Sequence, residues 1–432
     1  MIKSQTRTFA LILALLLIAV RIDVHVNFSG VYTDGDQTIT WLSAVDKADG
    51  KWYTPYFYGQ FYNISVVAIL ASILIKFGIA VQYAVPIVAN LVGLTPFIFG
   101  AWYLFRIKLD LAALLVLCLG LILPPQYHFV TAMARGFAGG LAVLSFGILL
   151  TSWRSTILKT LGYSLVIIAY FVNPNVLIIA FPLGLMWLSN FVLSKNKGDL
   201  KPLLPVGLSI IIASLVYIGL TMGNNELYEV HRLWRLEVRI DYLINSLQSL
   251  DARFLYLFPF LPKMGNLIVV CLLILTVLLF VKRKTIPALV LSITLLFLLA
   301  TLSLNKTLDG TYSTFFPFSR MYLGLPFVLV LATWFLVKGA QKKKAQVLIL
   351  VLGLVGALYQ FVDIPKKAIA SVRGNSGVVQ VIRIDKLCLE CEKLTEIQKA
   401  YHADVTVFHY KTDEYIYGCK ALQPDIKTVY PE

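Results

Sequence analysis

The residues best suited to chemistry lie in one stretch between two apolar segments. Asp34-Gly35-Asp36 comes first, then Trp41, Asp46 and Gly50-Lys51-Trp52, then the run Tyr53-Thr-Pro-Tyr-Phe-Tyr58-Gly-Gln60-Phe-Tyr62-Asn63. A carboxylate at a membrane surface can take a proton from an attacking hydroxyl or orient it; Asp36 is the first candidate and Asp34 the second. Tyr58, Gln60 and Tyr62 can contact a sugar, or anchor the chain at the interface. Asp-Gly-Asp is also a good turn sequence, so a plain turn stays open.

Basic residues near the ends of apolar runs can bind an anion such as a phosphate, and the bidentate fork of arginine suits this. The candidates are His128 and Arg135 in QYHFVTAMARGF, then His231, Arg232 and Arg235, and Arg320 in FFPFSRMYLGLP. For each the alternative is a side chain that snorkels to the interface.

The elements that hold these residues follow from composition. The 432 residues are 58% apolar and only 14% charged, with mean hydropathy +0.78. Soluble domains average about 45–50% apolar and about 25% charged. That departure excludes an ordinary cytosolic enzyme, a disordered chain and a disulfide-dense secreted module, and predicts a polytopic membrane protein. The net charge of +15 is concentrated in short breaks between apolar runs: Lys195, Lys197 and Lys201; Lys282, Arg283 and Lys284; Lys342, Lys343 and Lys344. This is the pattern of cytoplasmic loops. No zinc-finger or RNA-binding signature accompanies it, so nucleic acid is not expected as a partner.

Apolar segments are predicted at 8–26, 62–80, 83–105, 109–125, 131–151, 156–172, 174–194, 203–222, 266–281, 285–303, 319–338 and 345–361. In hydrocarbon the backbone must satisfy itself, so these are expected as helices. Lys3 and Arg7 precede the apolar run Phe9–Val20, as in a signal peptide. No small-x-small cleavage site follows, which favours an uncleaved first helix with a cytoplasmic N-terminus. Twelve crossings would bring the C-terminus back to the cytoplasm, whereas the three basic clusters require an odd number. Either 109–151 is divided wrongly, or one early segment does not cross. The outside loops are then 27–61, 223–265 and 304–318, with a further break at Asn173-Pro174-Asn175. Residues 227–258 mix apolar and basic residues, as an amphipathic interfacial helix or a solvated loop helix would. Asp23 is expected to pair with Arg21 or His25, or to lie at the interface.

The tail differs in composition. Strands are predicted at 378–384, 404–410 and 414–418 and a helix at 390–402. The expected division is therefore a multi-span domain over 1–361 and a small α/β domain over 362–432. Of five cysteines, Cys118 and Cys271 read as apolar filling. Cys388, Cys391 and Cys419 read as a source of one structural disulfide if the tail is outside. Asn27, Asn63 and Asn305 head triplets of the glycosylation-acceptor type.

The acidic pair in the first outside loop, the Pro-aromatic run YTPYFYGQFYN and the many-span plan with an outside tail together resemble the GT-C superfamily of polytopic glycosyltransferases. The motif resemblance covers roughly residues 32–63; the rest is layout. It implies an all-α fold of about 11–13 transmembrane helices with a small α/β extracytoplasmic domain. It also implies inverting transfer of a sugar from a polyprenyl-phosphate donor to a lipid-linked, glycan or protein acceptor. In that superfamily an Asp of this loop is the proposed base, matching Asp36 and then Asp34 here, and Arg320 resembles an Arg found at the corresponding helix start. The resemblance demands no cofactor and leaves room for a divalent metal. The expected setting is a bacterial inner membrane, with membrane lipids as partners. The alternative is a transporter or lipid flippase without transferase activity, although such proteins usually carry ionisable groups near the bilayer midplane, often in repeated halves. A third alternative is an assembly protein for which Asp36 is dispensable.

Overall fold

The computed structural model describes residues 2–30, 35–57, 63–193, 203–222, 237–314, 316–337, 342–372, 379–384 and 405–410. The apolar runs form helices, as a backbone without water requires. In chain order these are α1 (Ile2–Val24), which continues as a π-helical turn over His25–Ser29, α2 (Gly35–Ala48), α3 (Val66–Lys76), α4 (Val81–Arg106), α5 (Asp110–Ile122) and α6 (Pro125–Ala132). Next come α7 (Gly136–Thr151), α8 (Thr156–Val172), a 3₁₀ turn Pro174–Val176, α9 (Leu177–Val192) and α10 (Leu204–Met222). The remainder are α11 (Ile240–Gln248), α12 (Leu250–Arg253), α13 (Asn266–Val281), α14 (Thr285–Leu302), a 3₁₀ turn Phe318–Tyr322, α15 (Leu325–Val337) and α16 (Lys342–Val372).

Among the described residues, five helical segments are long and apolar enough to cross a membrane unaided: Gln5–Ser29, Val81–Arg106, Pro174–Val192, Thr285–Leu302 and Lys343–Ala370. Shorter apolar helices pack with them. The helices form an all-α, multi-pass, membrane-embedded bundle. Small residues set the closest approaches: a Cβ on Gly147 of α7 would meet the Gly162 carbonyl of α8 at 2.8 Å, and one on Gly162 would meet the Gly147 carbonyl at 2.7 Å. Close helix contact in lipid is built this way.

Several expectations change. The 27–61 loop contains a helix, α2, packed on α3 and α4. The stretch 109–151 is three pieces: α5 and α6 meet at a bend of 93°, then α7 follows. The bend has a chemical cause. Pro124 and Pro125 have no N–H to offer the carbonyls four residues earlier, so the helix cannot continue. Distant segments of the same chain take over the elbow's carbonyls. Gln360 Nε2 of α16 donates to the Leu121 carbonyl at 3.3 Å and also to that of Leu123, and the Phe260 N–H donates to Ile122 O at 2.9 Å. Segment 319–338 opens with the 3₁₀ turn, and α15 proper begins only at Leu325. The last helix runs past the expected boundary at 361 to Val372, with Pro365 inside it. Asp23 pairs with neither Arg21 nor His25; its Oδ1 accepts from Asn27 Nδ2 at 2.6 Å. Of the basic 227–258 stretch, the described part is the short α11 and α12.

Contacts identify the two ends of the bundle. At one, Arg106 Nε of α4 donates to Ser152 Oγ just past α7 at 2.8 Å, and Gln346 Nε2 of α16 donates to Thr6 Oγ1 of α1 at 2.9 Å. At the other, Asn90 Nδ2 of α4 donates to Ser29 Oγ beyond α1 at 2.5 Å, and Asn173 Nδ2 beyond α8 donates to Asn63 Oδ1 before α3 at 2.8 Å. In the tail, β1 (Val379–Ile384) and β2 (Val405–Tyr410) pair in parallel, from Val379 opposite Val405 to Ile384 opposite Tyr410. The expected helix 390–402, the strand 414–418 and Cys388, Cys391 and Cys419 lie outside the described residues. Cys118 and Cys271 are free thiols.

Candidate functional site

The end of the bundle where α3, α7 and α9 begin holds a cavity of about 660 Å³. Its lining combines two kinds of residue. Leu177 and Ile178 of α9, Phe297 of α14, Leu304 and Tyr170 of α8 are apolar or aromatic; Asn63, Arg135, Asn173, Asn175, Lys306, Asp309 and Arg320 are polar or charged. Phe297 lies five residues before the end of α14 at Leu302, so at the helical rise the cavity lining reaches roughly 7 Å down that helix.

The break between α6 and α7 places Arg135, and its guanidinium lies 5.6 Å from the Phe316 ring centre. Arg320 comes from the 3₁₀ turn before α15, is 2% exposed, and stacks 3.5 Å from the same ring. Its Nη2 donates to Asp309 Oδ2 at 3.0 Å and its Nη1 to the Pro317 carbonyl at 3.2 Å. That fork braces the 309–320 loop, and Asp309 offsets its charge. Arg253 of α12 supports the loop from behind: Nη1 donates to Thr307 O at 2.9 Å and the guanidinium lies 4.3 Å from the Phe318 ring centre. Burial lowers the pKa of Arg253 from its ordinary value. The stretch between α2 and α3 reaches the cavity through Phe57 and Asn63. Asn63 stands in the left-handed region at φ 62°, a conformation that asparagine tolerates better than most residues.

The candidates from sequence separate clearly. Arg135 and Arg320 meet on one cavity. His128 does not line it: it is fully buried in α6, and its carbonyl accepts from Arg21 Nη1 at 3.1 Å. Asp34, Tyr58, Gln60, Tyr62, His231, Arg232 and Arg235 lie outside the described residues. Asp36 stands in the first turn of α2, without a described side chain. Its helix is tied to the cavity rim because Thr40, one turn later, donates through Oγ1 to the Ala134 carbonyl at 2.8 Å, next to Arg135. Sequence reasoning missed Asn173, Asn175, Lys306 and Asp309 as site residues. In the sequence, Asn173-Pro174-Asn175 reads as a break, and Asn305-Lys306-Thr307 as a glycosylation triplet. The available signal was that both fall in loops at one end of the bundle. Among the described residues no three His, Cys, Asp or Glu side chains gather as a metal cluster.

No protein-family model, curated protein or solved structure matches this chain.

Proposed function

We propose that this protein is a membrane glycosyltransferase that moves a sugar from a polyprenyl-phosphate donor to an acceptor at the extracytoplasmic end of the bundle. The observation that carries the reading is the cavity, whose lining brings apolar residues together with Arg135, Lys306 and Arg320. An isoprenoid phosphate needs both in one place. The acceptor oxygen attacks the anomeric carbon, its proton passes to Asp36, and the bond from that carbon to the phosphate oxygen breaks. The phosphate leaves with the electron pair, and Arg135 and Lys306 offset its charge. Arg320, already held by Asp309, positions Phe316 and the loop beneath.

The same reading includes a sidedness, taken from the two ends together with the basic clusters. α3 starts beside Asn63 and feeds α4, whose first turns lie at the cavity end, so segment 62–80 is the one that does not cross. Counting α1, α4, α5, α7 to α10 and α13 to α16 as crossings gives an odd number. The cavity and the tail then lie outside, and all three basic clusters lie in the cytoplasm.

The test uses purified protein in lipid nanodiscs with radiolabelled polyprenyl-phosphate sugars. Asp36→Asn should cut transfer by about 10²–10⁴-fold, the usual worth of a general base, and leave donor binding intact. Arg135→Gln should weaken donor binding. Full transfer by Asp36→Asn removes the base assignment. Lipid flipping that survives Asp36→Asn, with no transfer by the wild type, replaces this reading with the flippase one. The bend between α5 and α6, an interrupted helix of the kind transporters use, is the feature that favours that alternative.

A further inference from the structure

One polar side chain of the cavity wall has only half of its hydrogen bonding made. Asn175 is 3% exposed and sits in the 3₁₀ turn that opens α9. Its Nδ2 donates to the Phe137 carbonyl of α7 at 3.1 Å. A carbonyl can only accept, so the NH₂ must face Phe137 and Oδ1 must face away from it. The turn itself is pinned: the Asn175 N–H donates to Asn173 Oδ1 at 3.1 Å, and Asn173 Nδ2 donates to Asn63 Oδ1 at 2.8 Å. Within this frame Asn175 Oδ1 is buried and accepts nothing from the described residues. A buried acceptor left unpaired is costly, and buried amides are normally satisfied on both sides. The space that Asn175 lines is the cavity, so the missing donor is to be sought there.

The chemistry of that donor is restricted. Arg135, Lys306 and Arg320 line the same cavity, so an ammonium group would meet like charges, whereas a neutral O–H would not. We propose that Asn175 Oδ1 accepts a hydrogen bond from a hydroxyl of the donor sugar, and so recognises the saccharide while the cationic rim recognises its phosphate. The inference rests on the transferase reading above. It makes Asn175 a specificity-determining residue. A site built to accept from a hydroxyl strongly rejects an analogue that lacks it, because the buried acceptor then stays bare.

Binding to purified protein separates the two roles without any turnover. The probes are farnesyl phosphate, a panel of farnesyl-phosphoryl hexoses and pentoses, and single-deoxy versions of the best binder. For at least one sugar the wild type should bind the sugar-bearing probe about tenfold or more tighter than farnesyl phosphate. Asn175→Leu and Asn175→Ala should erase that increment and change the affinity for bare farnesyl phosphate by far less than the increment. One deoxy probe should lose the increment on the wild-type protein, which gives the same answer even if both variants misfold. An increment that persists in the variants overturns the inference and leaves the transferase reading standing; so does equal weakening of both probes, which marks a structural role. If the wild type does not bind farnesyl phosphate at all, the reading fails and the inference falls with it.

Discussion

Arg21 brings a charge into a packed bundle and, among the described residues, meets no carboxylate there. It is 3% exposed. Its Nη2 donates to the Gly93 carbonyl of α4 at 2.7 Å and to Thr131 Oγ1 of α6 at 2.8 Å, and its Nη1 donates to the His128 carbonyl at 3.1 Å. One guanidinium thus ties three helices together through neutral oxygens, which a planar fork can do and an ammonium cannot. The junction depends on a missing side chain: a Cβ on Gly93 would stand 2.6 Å from the Thr131 carbonyl and 3.0 Å from Arg21 Nη2. Replacing glycine by alanine inside a helix ordinarily stabilises by up to about 1 kcal/mol. Here Gly93→Ala should destabilise instead, by about 1–3 kcal/mol, the usual cost of overpacking. A thermal-unfolding midpoint at or above the wild-type value would contradict this packing. The sequence displayed Arg21 inside an apolar run, but not its partners, because backbone carbonyls carry no residue-type signal.

The element that sequence reading missed is α2, and its buried face explains why. Gln37, Thr40, Trp41, Ser43, Ala44 and Lys47 are all buried, at spacings that suit a helix. Most of them are polar, so no apolar period shows, and 27–61 reads as a loop. Among the apolar runs, 156–172 and 266–281 were legible to the residue, whereas 62–80, 319–338 and 345–361 had ends that hydropathy alone did not fix. Within the site, Arg135 and Arg320 were legible because arginine at the end of an apolar run is conspicuous; Asn173 and Asn175 were not, because they also make a good turn. Lys47 offers a test of α2. It is fully buried, its Nζ donates to Ser43 Oγ at 2.6 Å, and burial lowers its pKa from 10.5 to about 8, against the opposing pull of Asp46. Between those two values the unfolded chain holds a proton that the folded chain has shed. Raising the pH through that window therefore favours folding, by up to about 1.4 kcal/mol per pH unit. Lys47→Met has nothing to titrate at this position. Its stability relative to the wild type should be greatest near pH 7 and decline steadily above pH 8. Denaturation of both proteins at matched pH checks this, and a difference that stays constant with pH would show that Lys47 is solvated.

For the whole molecule, crossing order is the property with the largest consequence, since it decides which compartment the cavity faces. Phe77, at the turn between α3 and α4, is 82% exposed. In a background without native cysteines, Phe77→Cys should react with a membrane-impermeant maleimide in intact cells, and Lys343→Cys only after permeabilisation. Labelling in the opposite sense at position 77 would mean that 62–80 crosses after all. The elbow between α5 and α6 carries a consequence of another kind, for biogenesis. The amide that completes its backbone belongs to Gln360, more than two hundred residues downstream. While the ribosome is still making the middle of the chain, the Leu121 and Leu123 carbonyls must wait for this partner. The amino-terminal half is thus finished only when the last helix leaves the translocon, so a nascent chain stalled before α16 carries a flaw that membrane quality control can detect.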